Sequence, residues 1–155
     1  MLALHTLVLL AWVALCAVQD ARQRRISNAL TFTGILFALM YVLWTARSWL
    51  DVAWPQVVLG CVWVLLLTLP GYWLRRFGAG DVKLMLLVAL ATGSQHVLLS
   101  FVIAGFSCGL WAGGWVLFKG RHVGEPTGGK WPFAPFIFVG LSAACIILSE
   151  PWNSL

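Results

Sequence analysis

Long apolar blocks, separated by short polar stretches, run along the whole chain of 155 residues. A helix needs about 20 residues, at ~1.5 Å each, to cross the ~30 Å hydrocarbon core of a bilayer. A membrane β-barrel would instead show alternating strands of about ten residues. The pattern therefore predicts an all-α integral membrane protein. The six predicted helices are Leu2 to Val18, Asn28 to Ala46, Trp54 to Leu74, Asp81 to Gln95, Val97 to Phe118 and Phe133 to Leu148.

Composition supports this class. Hydrophobic residues make up 61% of the chain and charged residues 10%, whereas soluble domains carry about 25% charged residues. The polar stretches leave no room for a separate soluble domain, so we predict one polytopic membrane domain over residues 1–155. The first block has no basic residue before its apolar core, which favours a retained helix over a cleaved signal peptide.

The distribution of basic residues predicts the orientation. Cytoplasmic loops collect Lys and Arg, and nine of the ten basic residues fall on one side of the six helices, against Arg47 alone on the other. Both termini are therefore predicted to be extracytoplasmic. The net charge of +5 then reflects topology and contact with anionic membrane lipid. No nucleic-acid-binding module is visible. The nine residues are Arg22, Arg24, Arg25, Arg75, Arg76, Lys83, Lys119, Arg121 and Lys130.

The predicted topology brings two aspartates, 61 positions apart in sequence, to the cytoplasmic side: Asp20 at the end of helix 1 and Asp81 at the start of helix 4. The apolar run after Asp81 covers only ~21 Å as a helix. We therefore expect residues 75–80 to dip into the membrane, where irregular backbone needs protein or water around it. Gly78 and Gly80 permit the turn and a close approach of the backbone, and they place Asp81 in a hydrated pocket.

Two interpretations of these aspartates follow from position alone. In the first, they pair with Arg24, Arg25 or Lys83 and anchor the topology. In the second, they form an acid/base dyad: two carboxyls a few Å apart share one proton, so one activates water while the other donates to a carbonyl oxygen. This amide hydrolysis needs no metal and no cofactor. The four cysteines show no C-x-x-C pair, so neither zinc nor a disulfide framework is indicated.

At these residues the chain resembles the type IV prepilin peptidases, membrane aspartic proteases of the GxGD kind, and especially their short Flp-type branch. "DARQRRISNAL", Asp20 to Leu30, resembles the family's first motif, and "GAGDVKL", Gly78 to Leu84, resembles the second. A weaker similarity is "KWPFAPFIFVG", Lys130 to Gly140, at the entry to the last helix. The resemblance implies that Asp20 and Asp81 are the catalytic pair. It also implies that the chain removes the leader from prepilins at the cytoplasmic face of the inner membrane.

The chain departs from the family pattern in two places. Ser27 stands where the family usually has proline, and we expect it to cap the helix that begins near Asn28. Longer members carry an additional cytoplasmic region with paired cysteines and methylate the new pilin N terminus. Nothing in this sequence corresponds to that region, so we predict peptidase activity and make no prediction about methyl transfer.

Secondary residues keep alternative roles. Lys83 tunes Asp81 or holds its loop, or it is an interfacial lysine that extends to the headgroups. Arg22, Arg24 and Arg25 meet an acidic residue of the substrate, or they only set the orientation. The series Gly105, Gly109 and Gly113 predicts close helix packing, either inside the protein or in self-association.

Two other function classes compete with a peptidase. A small ion-coupled transporter would also carry intramembrane acids, but it predicts inverted repeats and polar residues at the midplane, and here the acids cluster at one face. A noncatalytic subunit of a pilus or secretion assembly would tolerate the loss of either aspartate.

The predicted orientation can be measured with reporter fusions in a bacterial host. Alkaline phosphatase, which is active only outside the cytoplasm, should be active when fused at the C terminus and inactive when fused after Lys119. Green fluorescent protein at the same two positions should give the opposite result. The reverse pattern for both reporters would contradict the charge-based topology.

Overall fold

The protein is described here by a computed structural model that covers residues 2–23, 27–73, 78–119 and 133–149. Within these ranges the secondary structure is α-helical and no β-strand forms, which confirms the all-α prediction. The six helices are α1 (Leu2–Gln23), α2 (Asn28–Thr45), α3 (Trp54–Trp73), α4 (Ala79–Thr92), α5 (Ser94–Lys119) and α6 (Ala134–Ser149).

Four of the helices are long and apolar enough to cross a membrane: α1, α2, α3 and α5. Their outward faces carry large hydrophobic side chains. Leu43 is 73% exposed and Phe106 is 70% exposed. Such a surface is unfavourable in water, whereas lipid tails solvate it. The fold is therefore that of an integral membrane protein.

Helix α4 lies at the centre of the bundle. It packs against α2, α3 and α5, and it also contacts α1 and α6. Buried residues occur around most of its circumference, including Leu84, Leu87, Val88 and Ala91. A helix that is apolar on all sides is expected in such a position. Because α4 begins two residues before Asp81, the central helix presents this aspartate at one end of the bundle.

Helices α4 and α6 are shorter than a full membrane span requires. Their 14 and 16 residues correspond to about 21 and 24 Å, against ~30 Å for the hydrocarbon core. In contrast, α1 is longer than predicted and continues past Val18 to Gln23. Asp20 is therefore inside the last turn of a helix instead of beyond its end.

The boundary between α4 and α5 also differs from the prediction. The predicted boundary lies between a helix that ends at Gln95 and one that begins at Val97. In the structure, Ser94, Gln95 and His96 form the first turn of α5, and Gly93 alone makes the turn with a φ of 85°. The Ser94 hydroxyl donates a hydrogen bond to Gln56 Oε1 on α3 at 2.6 Å. The polar residues at this position therefore join two helices and do not form a loop.

The loop between α2 and α3 contains the single basic residue assigned to the outer side. Arg47 forms an ion pair with Asp51, with 2.9 Å between Nη1 and Oδ1, and both side chains are exposed. Such a pair adds little stability. The pair offsets the positive charge of Arg47, and the predicted orientation stays a prediction.

Close helix packing occurs at a glycine other than the predicted ones. A Cβ atom at Gly105, Gly109 or Gly113 would meet no atom within 4 Å among the described residues. The predicted series is therefore not used for packing inside the described part of the chain. At Gly140 on α6, a Cβ would collide with the Ser100 carbonyl oxygen on α5. Gly140 lets these two helices approach, and self-association through α5 stays a prediction.

The two kinds of glycine predict opposite effects of the same substitution. Gly140→Ala should destabilise the protein by about 1–3 kcal/mol, because the added methyl group forces α5 and α6 apart. Gly109→Ala should leave stability unchanged or raise it by up to about 1 kcal/mol, because alanine favours the helix. Thermal unfolding of both variants in detergent micelles tests this, and equal effects would contradict the packing described.

Candidate active site

Asp20 is positioned by the buried face of α1. Leu9, Val13, Cys16 and Ala17 are all buried on this face, and helical spacing places Asp20 on the same side. The Asp20 side chain is only 6% exposed. Its Oδ2 accepts a hydrogen bond of 3.3 Å from the backbone N–H of Ala134, the first residue of α6. The carboxylate therefore lies at the amino end of α6, where free N–H groups and the helix dipole favour an anion.

Asp81 lies at the amino end of another helix. It is the third residue of α4 and is partly exposed. Its Oδ2 accepts a hydrogen bond of 3.0 Å from the Gly78 N–H, in front of the helix. This is the contact that the third residue of a helix makes with the backbone of the capping residue. In both candidate catalytic residues, the carboxylate therefore accepts a hydrogen bond from a backbone N–H at a helix start.

The glycines of the second motif lie at the start of α4. Gly78 has extended backbone, with φ −79° and ψ 150°, and Gly80 lies in the first turn of α4. Neither has a positive φ, and the predicted reversal over residues 75–80 stays a prediction. The close approach is confirmed at Gly78, where a Cβ would lie 3.1 Å from Asp81 Oδ2. The rest of the proposed dip, residues 75–77, lies outside the described residues.

Lys83 connects the two sequence motifs. Its Nζ donates a hydrogen bond of 2.9 Å to Asn28 Oδ1 on α2. The same Nζ lies 4.5 Å from the centre of the Phe32 ring, within the range of a cation–π interaction. Both partners lie on the first turn and a half of α2, which packs against α4. Lys83 therefore attaches the start of α4, and with it Asp81, to the start of α2.

The start of α2 corrects one expectation and supplies a residue with a new role. Ser27 does occupy the N-cap position of α2, but its side chain makes no capping hydrogen bond. Its backbone N–H instead donates to Gln19 Oε1 on α1 at 3.0 Å. Asn28 is the first helical residue and the partner of Lys83. Sequence reasoning missed Asn28 and Phe32 as parts of the site because a contact between helices leaves no local pattern.

Arg22 lines a groove between the end of α1 and the start of α2. The groove has a volume of about 430 Å³. Its walls are apolar at Leu15, Val18 and Leu30, and polar at Gln19 and Arg22. The side chain of Arg22 is exposed. The other two candidate recognition residues, Arg24 and Arg25, lie outside the described residues.

Both aspartates lie at the same end of the bundle, because hydrogen bonds join the end of α1 to the starts of α2 and α6, and the start of α4 to the start of α2. Two carboxyls at this end can serve acid/base chemistry on a substrate that reaches the membrane surface. Across the described ranges, no group of three or more His, Cys, Asp or Glu side chains could hold a metal ion. The described features define a polytopic membrane protein with two carboxylates at one end of a helical bundle.

Comparison with known proteins identifies the family. The model of the type IV leader peptidase family matches residues 7–113, more than two thirds of the chain and a range that contains both motifs. The chain belongs to this family, and its general function is that of a leader peptidase. No curated protein and no solved structure gives a significant match. The matched range ends before α6, so the contact between Asp20 and Ala134 comes from the structure alone.

The contact between Lys83 and Asn28 can be measured with a double-mutant cycle. Asn28→Ala and Lys83→Met should each destabilise the protein, and their coupling energy should be about 1 kcal/mol, because they remove the same charged hydrogen bond. The measurement is unfolding of the two single variants and the double variant in micelles. Asn28→Ala combined with Arg47→Ala, at the opposite end of the bundle, is the additive control. Additive effects of Asn28→Ala and Lys83→Met would contradict the contact.

Proposed function

We propose that this leader peptidase is an aspartic endopeptidase in which Asp20 and Asp81 are the catalytic residues. The observation that carries the proposal is the location of both carboxyls at one end of the bundle, each bound by a backbone N–H at a helix start. They come from the two motifs that resemble those of prepilin peptidases. The substrates are type IV or Flp-type prepilins, from which the enzyme removes the leader peptide.

The chemistry follows from two carboxyls that share one proton. The ionised carboxylate accepts a proton from water, and the water oxygen adds to the scissile carbonyl carbon. The protonated carboxyl donates to the carbonyl oxygen, and the carbon–nitrogen bond then breaks as the leaving amine takes up a proton. Asp20 is buried and Asp81 is partly exposed. We assign the water-activating role to neither residue individually, because the proton belongs to the pair.

The substrate has its own apolar helix, which remains in the bilayer during cleavage. Helices α1 and α2 touch each other only over a short stretch, and the groove between them is open beside Leu15 and Val18. The substrate helix lies along this groove. Arg22 at its polar end suits the acidic residue that, by the family resemblance, follows the cleavage site. The membrane thereby contributes to specificity, because it fixes the depth at which the scissile bond is presented.

The protein lies in the inner membrane, and its active site faces the cytoplasm. This location follows from the nine basic residues that the sequence places on one side and from the position of both aspartates on that same side. It also suits the substrate, whose leader would be cytoplasmic. Short α4 and α6 support a site recessed below the membrane surface.

The test is co-expression of the protein with a prepilin substrate and measurement of leader removal by gel mobility. Asp20→Asn and Asp81→Asn should each lower the cleavage rate by at least about 100-fold, because each removes one partner of the acid/base pair. Asp51→Asn in the loop between α2 and α3 is the matched control and should cleave normally, since Asp51 forms its ion pair at the other end of the bundle.

The result also separates the competing function classes. Full cleavage by either site variant would reject the dyad. If pilus assembly also continued in both variants, the noncatalytic assembly subunit would be favoured. A transporter would show no cleavage by the unaltered protein.

A further inference from the structure

The first turn of α6 carries an arrangement that the two sequence motifs do not include. Its backbone N–H groups can be followed one by one. Pro135 has none, and the N–H groups of Phe136 and Ile137 donate to the Phe133 carbonyl oxygen at 3.0 and 3.2 Å. The N–H of Ala134 donates to Asp20 Oδ2. The hydrogen bonds of this turn are therefore complete only when the Asp20 carboxylate is in place.

Burial makes this contact important for both partners. Ala134 is fully buried and Asp20 nearly so. A buried N–H without an acceptor and a buried carboxylate without a donor are both costly. Helices α1 and α6 pack along each other, so the carboxylate of Asp20 and the N–H of Ala134 each supply the hydrogen-bond partner that the other needs. The contact therefore restricts the carboxylate of Asp20 to one orientation.

Asp81 is bound in a different way. Its donor, Gly78, belongs to the same motif and the same helix start. The donor to Asp20 is 114 positions away in sequence. The relative placement of the two carboxyls thus depends on where α6 begins and not on the two motifs alone.

We propose that the amino end of α6 is a positioning element of the active site. The Ala134 N–H orients the Asp20 carboxylate toward the substrate and its water. Ala134 is a positioning residue, not a catalytic one, because it acts through Asp20. This inference rests on the proposed aspartic peptidase function and adds a third segment to its site.

The experiment removes this single donor. Ala134→Pro has no N–H, and proline is well suited to the first position of a helix. The new ring would follow Phe133, which lies outside the helix, where a following proline is tolerated. With a prepilin substrate in micelles, we expect kcat to fall by about 10- to 100-fold, the effect of one hydrogen bond to a charged group. KM should stay unchanged, because orientation of Asp20 affects the chemical step and not substrate binding.

Ala134→Val is the matched variant that adds bulk and keeps the N–H. It should recover most of the kcat that Ala134→Pro loses, after both are shown to be folded by thermal unfolding. If the proline variant does not fold, replacement of the residue 134 amide by an ester, with lactic acid introduced by nonsense suppression, removes the donor without added volume. The ester variant should show the same loss of kcat.

Two results would overturn the proposal. One is wild-type kcat in the folded proline or ester variant, and the other is an equal loss of kcat in the proline and valine variants. These results differ from failure of the proposed function. If Asp20→Asn cleaves normally, the catalytic assignment fails, whereas an inactive Asp20→Asn together with an active donor variant rejects only the positioning role of α6.

Discussion

A carboxylate that is removed from water needs hydrogen-bond donors, and this constraint organises the functional end of the protein. Side-chain donors in an apolar bundle are few, but every helix start has backbone N–H groups without a helical partner. The protein uses two such starts. Asp81 binds the N–H of Gly78 ahead of its own helix, and Asp20 binds the N–H of Ala134 on another. Each helix start thereby stabilises the negative charge that the proposed chemistry requires.

The lengths of two helices are consistent with the same arrangement. The start of α6 meets the Asp20 carboxylate on α1 and therefore lies at the depth of that carboxylate. Helices α4 and α6 are the two short ones, and they are also the two whose starts bind the aspartates. Helix α1, by contrast, is 22 residues long and continues three residues beyond Asp20. The difference in length is consistent with a recess at this end, in which a substrate and water can reach the carboxyls.

Packing between the helices keeps these starts in register. Gly140 allows close contact between α6 and α5, so the position of α6 is fixed by a neighbour that does not belong to the site. Lys83 links α4 to α2 through Asn28 and Phe32. The family match to residues 7–113 includes the second link but ends before Gly140 and the whole of α6. The site is therefore formed by four helices. The two motifs that contain the aspartates cover three of them, and only the weaker similarity over Lys130 to Gly140 reaches the start of α6.

The sequence by itself determined the class of protein, the all-helical fold, the family and the two candidate catalytic residues. These depend on local apolar runs and on short motifs, and Asp20 and Asp81 could be read from them directly. Only the tertiary structure decided that Asn28 binds Lys83, that Gly140 and not the Gly105 series makes the close helix contact, and that Ala134 binds Asp20. Each of these is a contact between residues on different helices. The physical reason is that such a contact depends on the relative rotation and translation of the helices. In lipid, the apolar pattern of a single segment does not indicate which of its faces packs against which neighbour.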